Sequence, residues 1–182
     1  MNIINTPLQD CYIIEPKVFE DNRGYFFESF NGATAKGTVL EKYNWLQENE
    51  SKSTKGVLRG LHFQKGDFAQ GKLVRVIVGE VFDVAVDLRE NSTTFGQSFG
   101  LTLSGKSKKQ FLIPRGFAHG FLVLSDIAIF SYKCDNLYSP EHDSGIIYND
   151  YLLNIGWPNI DAEIILSKKD AQLGTFEKSY KF

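Results

Sequence analysis

Three histidines occur in 182 residues: His62, His119 and His142. Two stand in glycine- and arginine-rich surroundings, Arg59-Gly60-Leu61-His62 and Pro114-Arg115-Gly116-Phe117-Ala118-His119-Gly120. Imidazole exchanges protons near neutral pH, so each is a candidate acid or base as well as a candidate metal ligand, although singly each reads more readily as a hydrogen-bonded structural residue. A metal in a small barrel asks for closely spaced histidines and a carboxylate. Here His62 is followed two residues on by Gln64, so no metal is expected and the chemistry should be acid–base. Cations gather around the same segments: Arg23 in Asp21-Asn22-Arg23-Gly24, then Arg59, Lys72 and Arg75, and Lys168 near the end. In a chain of net charge −2 such a set calls for an anion, most economically a diphosphate. Arg75 and Lys169 by themselves read as solvated surface charges. No strand, glycine-rich loop and helix follow one another as a phosphate loop requires, so side chains would have to grip the anion.

The elements that position these groups are predominantly strands. The length suits one domain, 1–182, and the 42% hydrophobic, 14% aromatic composition suits a packed β core. Leu73 to Leu88 is rich in Val and is broken at Gly79-Glu80, which predicts a hairpin. A second hairpin is predicted from Phe121–Leu124 and Ile127–Tyr132 about Ser125-Asp126, with further strands at Phe99–Leu103 and Gln110–Ile113. Many short strands imply a sandwich or barrel. Helical signals are confined to Thr38–Gln47 and to Ser167-Lys168-Lys169-Asp170, which fits a capping box; Tyr138 to Pro158 reads as loop. The balance of 20 basic and 22 acidic residues offers no field for nucleic acid, and no apolar run is long enough to span a membrane. No leader-like start is visible, so a cytoplasmic location is expected. Cys11 and Cys134 are far apart and are read as buried thiols.

Taken together, the segments resemble the dTDP-4-dehydrorhamnose 3,5-epimerase family almost end to end. The resemblance lies in Phe19 to Glu28, Gln47 through Asn49 to Ser53, Gly56 to Gln64, Lys72 to Val76, Asp83 to Arg89, Ile113 to Phe121, Tyr138 to His142, and Ile165 to Asp170. It implies a double-stranded β-helix, a jelly roll of cupin type with short peripheral helices, forming a homodimer that shares an N-terminal strand; Ile3 and Ile4 would suit such a strand. It implies a dTDP-4-keto-6-deoxy sugar as substrate and no cofactor. The protons on C3 and C5 flank the 4-keto group and are acidic because the carbanion delocalises as an enolate.

The roles carried by the resemblance follow residue by residue. His62 matches the base and Asp170 the carboxylate that fixes its tautomer. Lys72 matches the group facing the enolate oxygen, and Tyr132 the acid that returns a proton from the opposite face. Arg23, Glu28, Gln47, Asn49, Arg59, His119, Asp143 and Lys168 match substrate contacts, with Phe19, Phe26 and Tyr138 as aromatic candidates near the base. From the residues alone, Ser167-x-x-Asp170 reads as a helix cap, and the alternative for Tyr132 is an inward core aromatic. The sequence departs from the family at Asp143, where glutamate is usual, at Tyr148, where tryptophan is usual, and at Tyr151, often proline; these changes bear on substrate fit. Two alternatives stay open: an epimerase acting at one carbon only, and a sugar-nucleotide-binding jelly roll without catalysis.

Overall fold

The computed structural model describes residues 1–182. Its strands are β1 (Asn2–Asn5), β2 (Tyr12–Glu15), β3 (Phe19–Asp21), β4 (Gly24–Phe26), β5 (Gln47–Thr54), β6 (Leu58–Gln64), β7 (Lys72–Val78), β8 (Glu80–Asp87), β9 (Ser98–Ser104), β10 (Gln110–Ile113), β11 (Phe117–Val123), β12 (Ile127–Cys134) and β13 (Asp143–Gly145). One short helix, α1 (Gly32–Ala35), and two 3₁₀ turns, Gly66–Phe68 and Asp170–Gln172, complete the elements. Six strands form one antiparallel sheet in the order β1-β2-β10-β7-β12-β5, and five form another in the order β13-β6-β11-β8-β9. β3 and β4 pair only with each other. Two facing antiparallel sheets, fed alternately by the chain, make the jelly roll that the resemblance implied. No helix is long and apolar enough to cross a membrane.

The predicted strands exist, but the two predicted hairpins do not. β7 lies in the six-stranded sheet between β10 and β12, whereas β8 lies in the five-stranded sheet between β11 and β9. β11 and β12 divide between the sheets in the same way. Each tight turn therefore carries the chain from one sheet to the other, a distinction that local turn chemistry cannot encode. Gly79 sits at the first crossing with φ +80°, and a Cβ there would lie 2.0 Å from the Ile127 carbonyl oxygen at the second. The helix expected over Thr38–Gln47 is also absent: 37–42 is a series of turns, β5 begins at Gln47, and α1 lies earlier, capped by Asn31 Oδ1 accepting from the Ala33 N–H at 2.9 Å. Tyr43 and Trp45 there stack against one another at 5.1 Å, so tertiary packing overrides the weak periodicity. Within Tyr138–Pro158, read as loop, β13 forms.

Three apolar clusters explain why the strands read as nearly continuous apolar runs. Val74, Val76, Val81, Ala85, Phe111, Phe121 and Phe130 fill the space between the sheets. Leu61, Phe63, Val84, Val86 and Ala118 cover the outer face of the five-stranded sheet under Trp157, Phe176 and Phe182. Ile14, Leu73 and Leu112 pack on the outer face of the other sheet with Leu40 and Tyr43. With both faces covered, alternation disappears from the sequence. Each fully buried side chain of this size contributes about 1.5–3 kcal/mol. β1 pairs with the chain's own β2, Ile3 opposite Ile14 and Ile4 opposite Ile13, and leaves its outer edge open. Cys11 and Cys134 are free and buried, as expected.

Candidate active site

A cleft of about 310 Å³ opens at one end of the space between the sheets. Its five-stranded wall presents Arg59, His62 and Gln64 from β6 and His119 and Phe121 from β11; its six-stranded wall presents Lys72 from β7 and Phe130 and Tyr132 from β12. Tyr138, Asp143, Ser167, Lys169 and Asp170 form the rim. Phe121 and Phe130 stack at 4.3 Å and make an apolar floor.

A β-bulge assembles the first wall. His62 pairs with His119, but Phe121 pairs with Arg59, so the register shifts between them around Gly60. In a regular strand, residues three apart point to opposite faces; one extra residue restores them to the same face. Arg59 and His62 consequently face the cleft together. Gly60 adopts φ +116°, and a Cβ would lie 2.6 Å from the Gly120 Cα and 2.7 Å from the His119 carbonyl oxygen. Only glycine permits this approach.

His62 Nε2 lies 2.6 Å from Asp170 Oδ1, with the carboxylate side chain 6% exposed. The pairing fixes the ring N–H at Nε2 and leaves Nδ1, buried and without a partner in the chain, with its lone pair free. Asp170 is held from behind as well: its N–H donates to Ser167 Oγ at 3.0 Å, and that hydroxyl donates to Asp170 Oδ2 at 2.9 Å. Ser167 thus braces Asp170 beside the dyad, but the capping box expected from the sequence does not form: the element that follows is a 3₁₀ turn whose N-cap is Lys169, with no side-chain cap bond. Burial pushes the Asp170 carboxyl up, but the hydrogen bond and charge of His62, with Ser167 and Lys169, outweigh it and hold it below the usual range.

On the other wall Lys72 is 9% exposed. Burial pushes its ammonium down, and Cys134, Asp143 and Asp83 oppose this. Cys134, directly across the sheet, is itself pushed up to about 11 by burial; near neutrality it is an uncharged thiol, so the carboxylates steady the lysine. Burial also raises the Tyr132 phenol, opposed by Asn49 and Arg59. Asn49 is its cross-strand neighbour on β5. His119, 7% exposed, is bracketed by both oxygens of the fully buried Asp83, each 3.0 Å from Nε2.

Of the residues singled out in the sequence, His62, Lys72, Tyr132, Asp170, Arg59, His119, Tyr138 and Asp143 line this one cleft. Gln47 and Asn49 adjoin it: Gln47 Nε2 donates to Asn49 Oδ1 at 2.9 Å, and Gln47 Oε1 accepts the Tyr138 N–H at 2.9 Å. Arg23, Glu28, Phe19, Phe26 and Lys168 do not line it. Phe19 and Phe26 pair across the β3–β4 hairpin, exposed by 52% and 67%, and Arg23 at its tip is ion-paired with Asp21. Glu28, just beyond, accepts from Asn31 Nδ2. Lys169, read from sequence as a plain surface charge, instead reaches the rim and binds Asp143 Oδ2, which also accepts from Tyr138 Oη at 2.8 Å. Asp143 is thereby engaged within the chain. Asp83 and Gln64 were not assigned a function from sequence; Asp83 sits in an apolar run and carries no local signal.

Comparison with known proteins agrees with this geometry. Residues 5–178 match the family described as dTDP-4-dehydrorhamnose 3,5-epimerase. The enzyme of that name from Escherichia coli (strain K12) is 52% identical over 178 residues, 98% of this chain and 96% of its own. The crystal structure of the Elizabethkingia anophelis NUHP1 protein matches with TM-score 0.91 at 52% identity, covering 99% of both chains. That of the Legionella pneumophila protein, in complex with dTDP-4-keto-L-rhamnose, matches with TM-score 0.92 at 50% identity, covering 97% of this chain and 93% of the other.

Proposed function

Because the chain belongs to the dTDP-4-dehydrorhamnose 3,5-epimerase family, we propose that it converts dTDP-4-dehydro-6-deoxy-D-glucose to dTDP-4-dehydro-L-rhamnose in dTDP-L-rhamnose biosynthesis, by side-chain acid–base chemistry without a cofactor. It is a carbohydrate epimerase, and a dTDP-sugar is its substrate. The observation that carries the mechanism is the placing of His62 and Tyr132 on opposite walls of one cleft, with a buried ammonium beside the second. Inversion at carbon requires a proton to leave one face and return to the other. His62, its tautomer set by Asp170, takes the proton from C5, passes it to solvent and then takes the proton from C3; each time the electron pair moves onto the 4-keto oxygen, whose negative charge Lys72 meets in a poorly solvated site. Tyr132, kept protonated by burial, gives a proton to the opposite face and is restored from solvent. Arg59, with His119, supplies the polar grip on the diphosphate and sugar.

The hairpin residues point to a dimer as the working unit. Phe19, Arg23 and Phe26, on a two-stranded projection with an aromatic surface, and Glu28 just beyond it do not line the chain's own cleft. If they touch substrate, they touch that of a second copy, and burying the exposed rings of Phe19, Tyr25 and Phe26 favours association. A homodimer acting in the cytoplasm is the proposed state.

The test is proton NMR of dTDP-4-keto-6-deoxyglucose in deuterium oxide, with a reductase coupled to capture the product. Loss of both the C3 and C5 signals with a reducible L-product is expected, together with no exchange by His62→Ala and exchange without inversion by Tyr132→Phe. Exchange confined to one carbon identifies a single-site epimerase; binding without exchange overturns catalysis altogether.

A further inference from the structure

Gln64 occupies the position where a metal-binding barrel would place a second histidine, on the same face of β6 as His62 and two residues on. Its side chain is committed elsewhere. The residue is 4% exposed. Its Nε2 donates to the carbonyl oxygens of Phe68 at 2.8 Å and Leu137 at 3.0 Å, and its Oε1 accepts the Ser139 N–H at 2.6 Å. A primary amide has two donors and one acceptor oxygen, and here all are spent on backbone groups of two separate loops. The bonds to Leu137 and Ser139 bracket Tyr138, whose own N–H is taken by Gln47 and whose hydroxyl is taken by Asp143. Tyr138 itself is left 52% exposed on the rim. The same loop is closed against the Gly66–Phe68 turn by His142, stacked on Phe68 at 4.0 Å with its Nδ1 2.8 Å from Ser139 Oγ.

We infer that Gln64 is a positioning residue: by clamping the backbone on both sides of Tyr138, it holds that ring as a ready-made platform for the nucleoside base, and so controls nucleotide affinity, not proton transfer. The inference rests on reading Tyr138 as the base's platform. The physical reason is preorganisation. An exposed ring on a free loop loses its freedom when ligand binds, whereas a ring whose flanking peptides are already fixed does not. No charged residue could serve: a carboxylate lacks both donors and an ammonium lacks the acceptor.

Calorimetric titration of the full chain with dTDP and with inorganic pyrophosphate separates the roles. For Gln64→Met, close in volume and uncharged, dTDP affinity should fall about tenfold, the low end of what a lost base–aromatic stack is worth. Pyrophosphate affinity should stay within about twofold, and the rise in KM should exceed the fall in kcat. In a Tyr138→Ala background the same substitution should add little, since Gln64 acts through that ring. Unchanged dTDP affinity, or equal losses of dTDP and pyrophosphate, overturns the inference. If Gln64→Met does not fold, hydrogen exchange of the unaltered protein decides: the Ser139 amide should be protected before any ligand is added, and exchange at unprotected rates rejects the clamp. A wild-type chain that binds dTDP no better than pyrophosphate sinks the platform reading itself, and with it the role of Gln64.

Discussion

In the proposed mechanism Asp170 carries a structural and a chemical duty, since one oxygen faces His62 while the other takes the Ser167 hydroxyl. Replacing it by asparagine should leave the turn largely intact, at a cost of about 1 kcal/mol, while turnover falls by about 10²- to 10⁴-fold; denaturant melts beside rate measurements check the split. Its folded pKa is depressed, so its contribution to stability is full above the unfolded value near 3.9 and is lost as pH falls through the folded one. The stability gap between wild type and Asp170→Asn should therefore close in acid below about pH 4. Lys72 behaves in the opposite sense. Burial pushes its pKa down, so the charge proposed to meet the enolate is lost at a lower pH than an ordinary lysine would lose it. Activity should accordingly fall on the alkaline side below the usual lysine range near 10.4. Lys72→Arg, which stays charged, should be slower but should move that limb upward in a pH–rate profile.

Among the elements, β6 bears most on function, and its bulge is the feature to test. A methyl group at Gly60 meets backbone on the facing strand, not a flexible side-chain tip. Gly60→Ala should therefore push β6 from β11, costing about 1–3 kcal/mol in strain alone. It should also reduce kcat, because Arg59 and His62 would leave a common face. A substitution at Gly37, at φ +71° with no atom within 4 Å of an added Cβ, is the contrasting control for backbone strain without a clash. Thermal melts with kinetics on both variants check this. The absent hairpins belong to this scale too: the turns at Gly79 and at Ser125-Asp126 are compact, as their residues predict, but hand the chain to the facing sheet.

For the whole molecule, the separation of the hairpin contacts from the cleft sets up a subunit-mixing experiment. Arg23→Ala and His62→Ala should each be nearly inactive by themselves. If the hairpin of one copy serves the cleft of another, mixing them equally and allowing exchange should restore about a quarter of wild-type sites, since half the dimers are mixed and each has one intact site. No recovery, with mixed dimers shown to form, would mean that the hairpin serves its own chain's cleft, whereas full activity of Arg23→Ala alone would place Arg23 outside the site. The proposed dimer would cover the exposed Phe19, Tyr25 and Phe26 of this projection.

The sequence by itself made legible the β class and the strands between Leu73 and Tyr132, because strand propensity and turn residues are local properties, and its spaced motifs carry the resemblance from which His62, Lys72, Tyr132 and Asp170 are proposed as the acid–base set; β2 to β6 and β13 carry no comparable local signal. Tertiary structure alone decided which strands share a sheet, since a tight turn looks the same whether it closes a hairpin or crosses between layers. It alone showed that Arg59 and His62, three apart, face one way, because the bulge at Gly60 depends on contact with β11. Likewise Lys169, not its neighbour Lys168, reaches the rim, and Gln64 grips a loop more than seventy residues away. Those outcomes depend on what lies across the cleft, and a linear pattern records only what lies next along the chain.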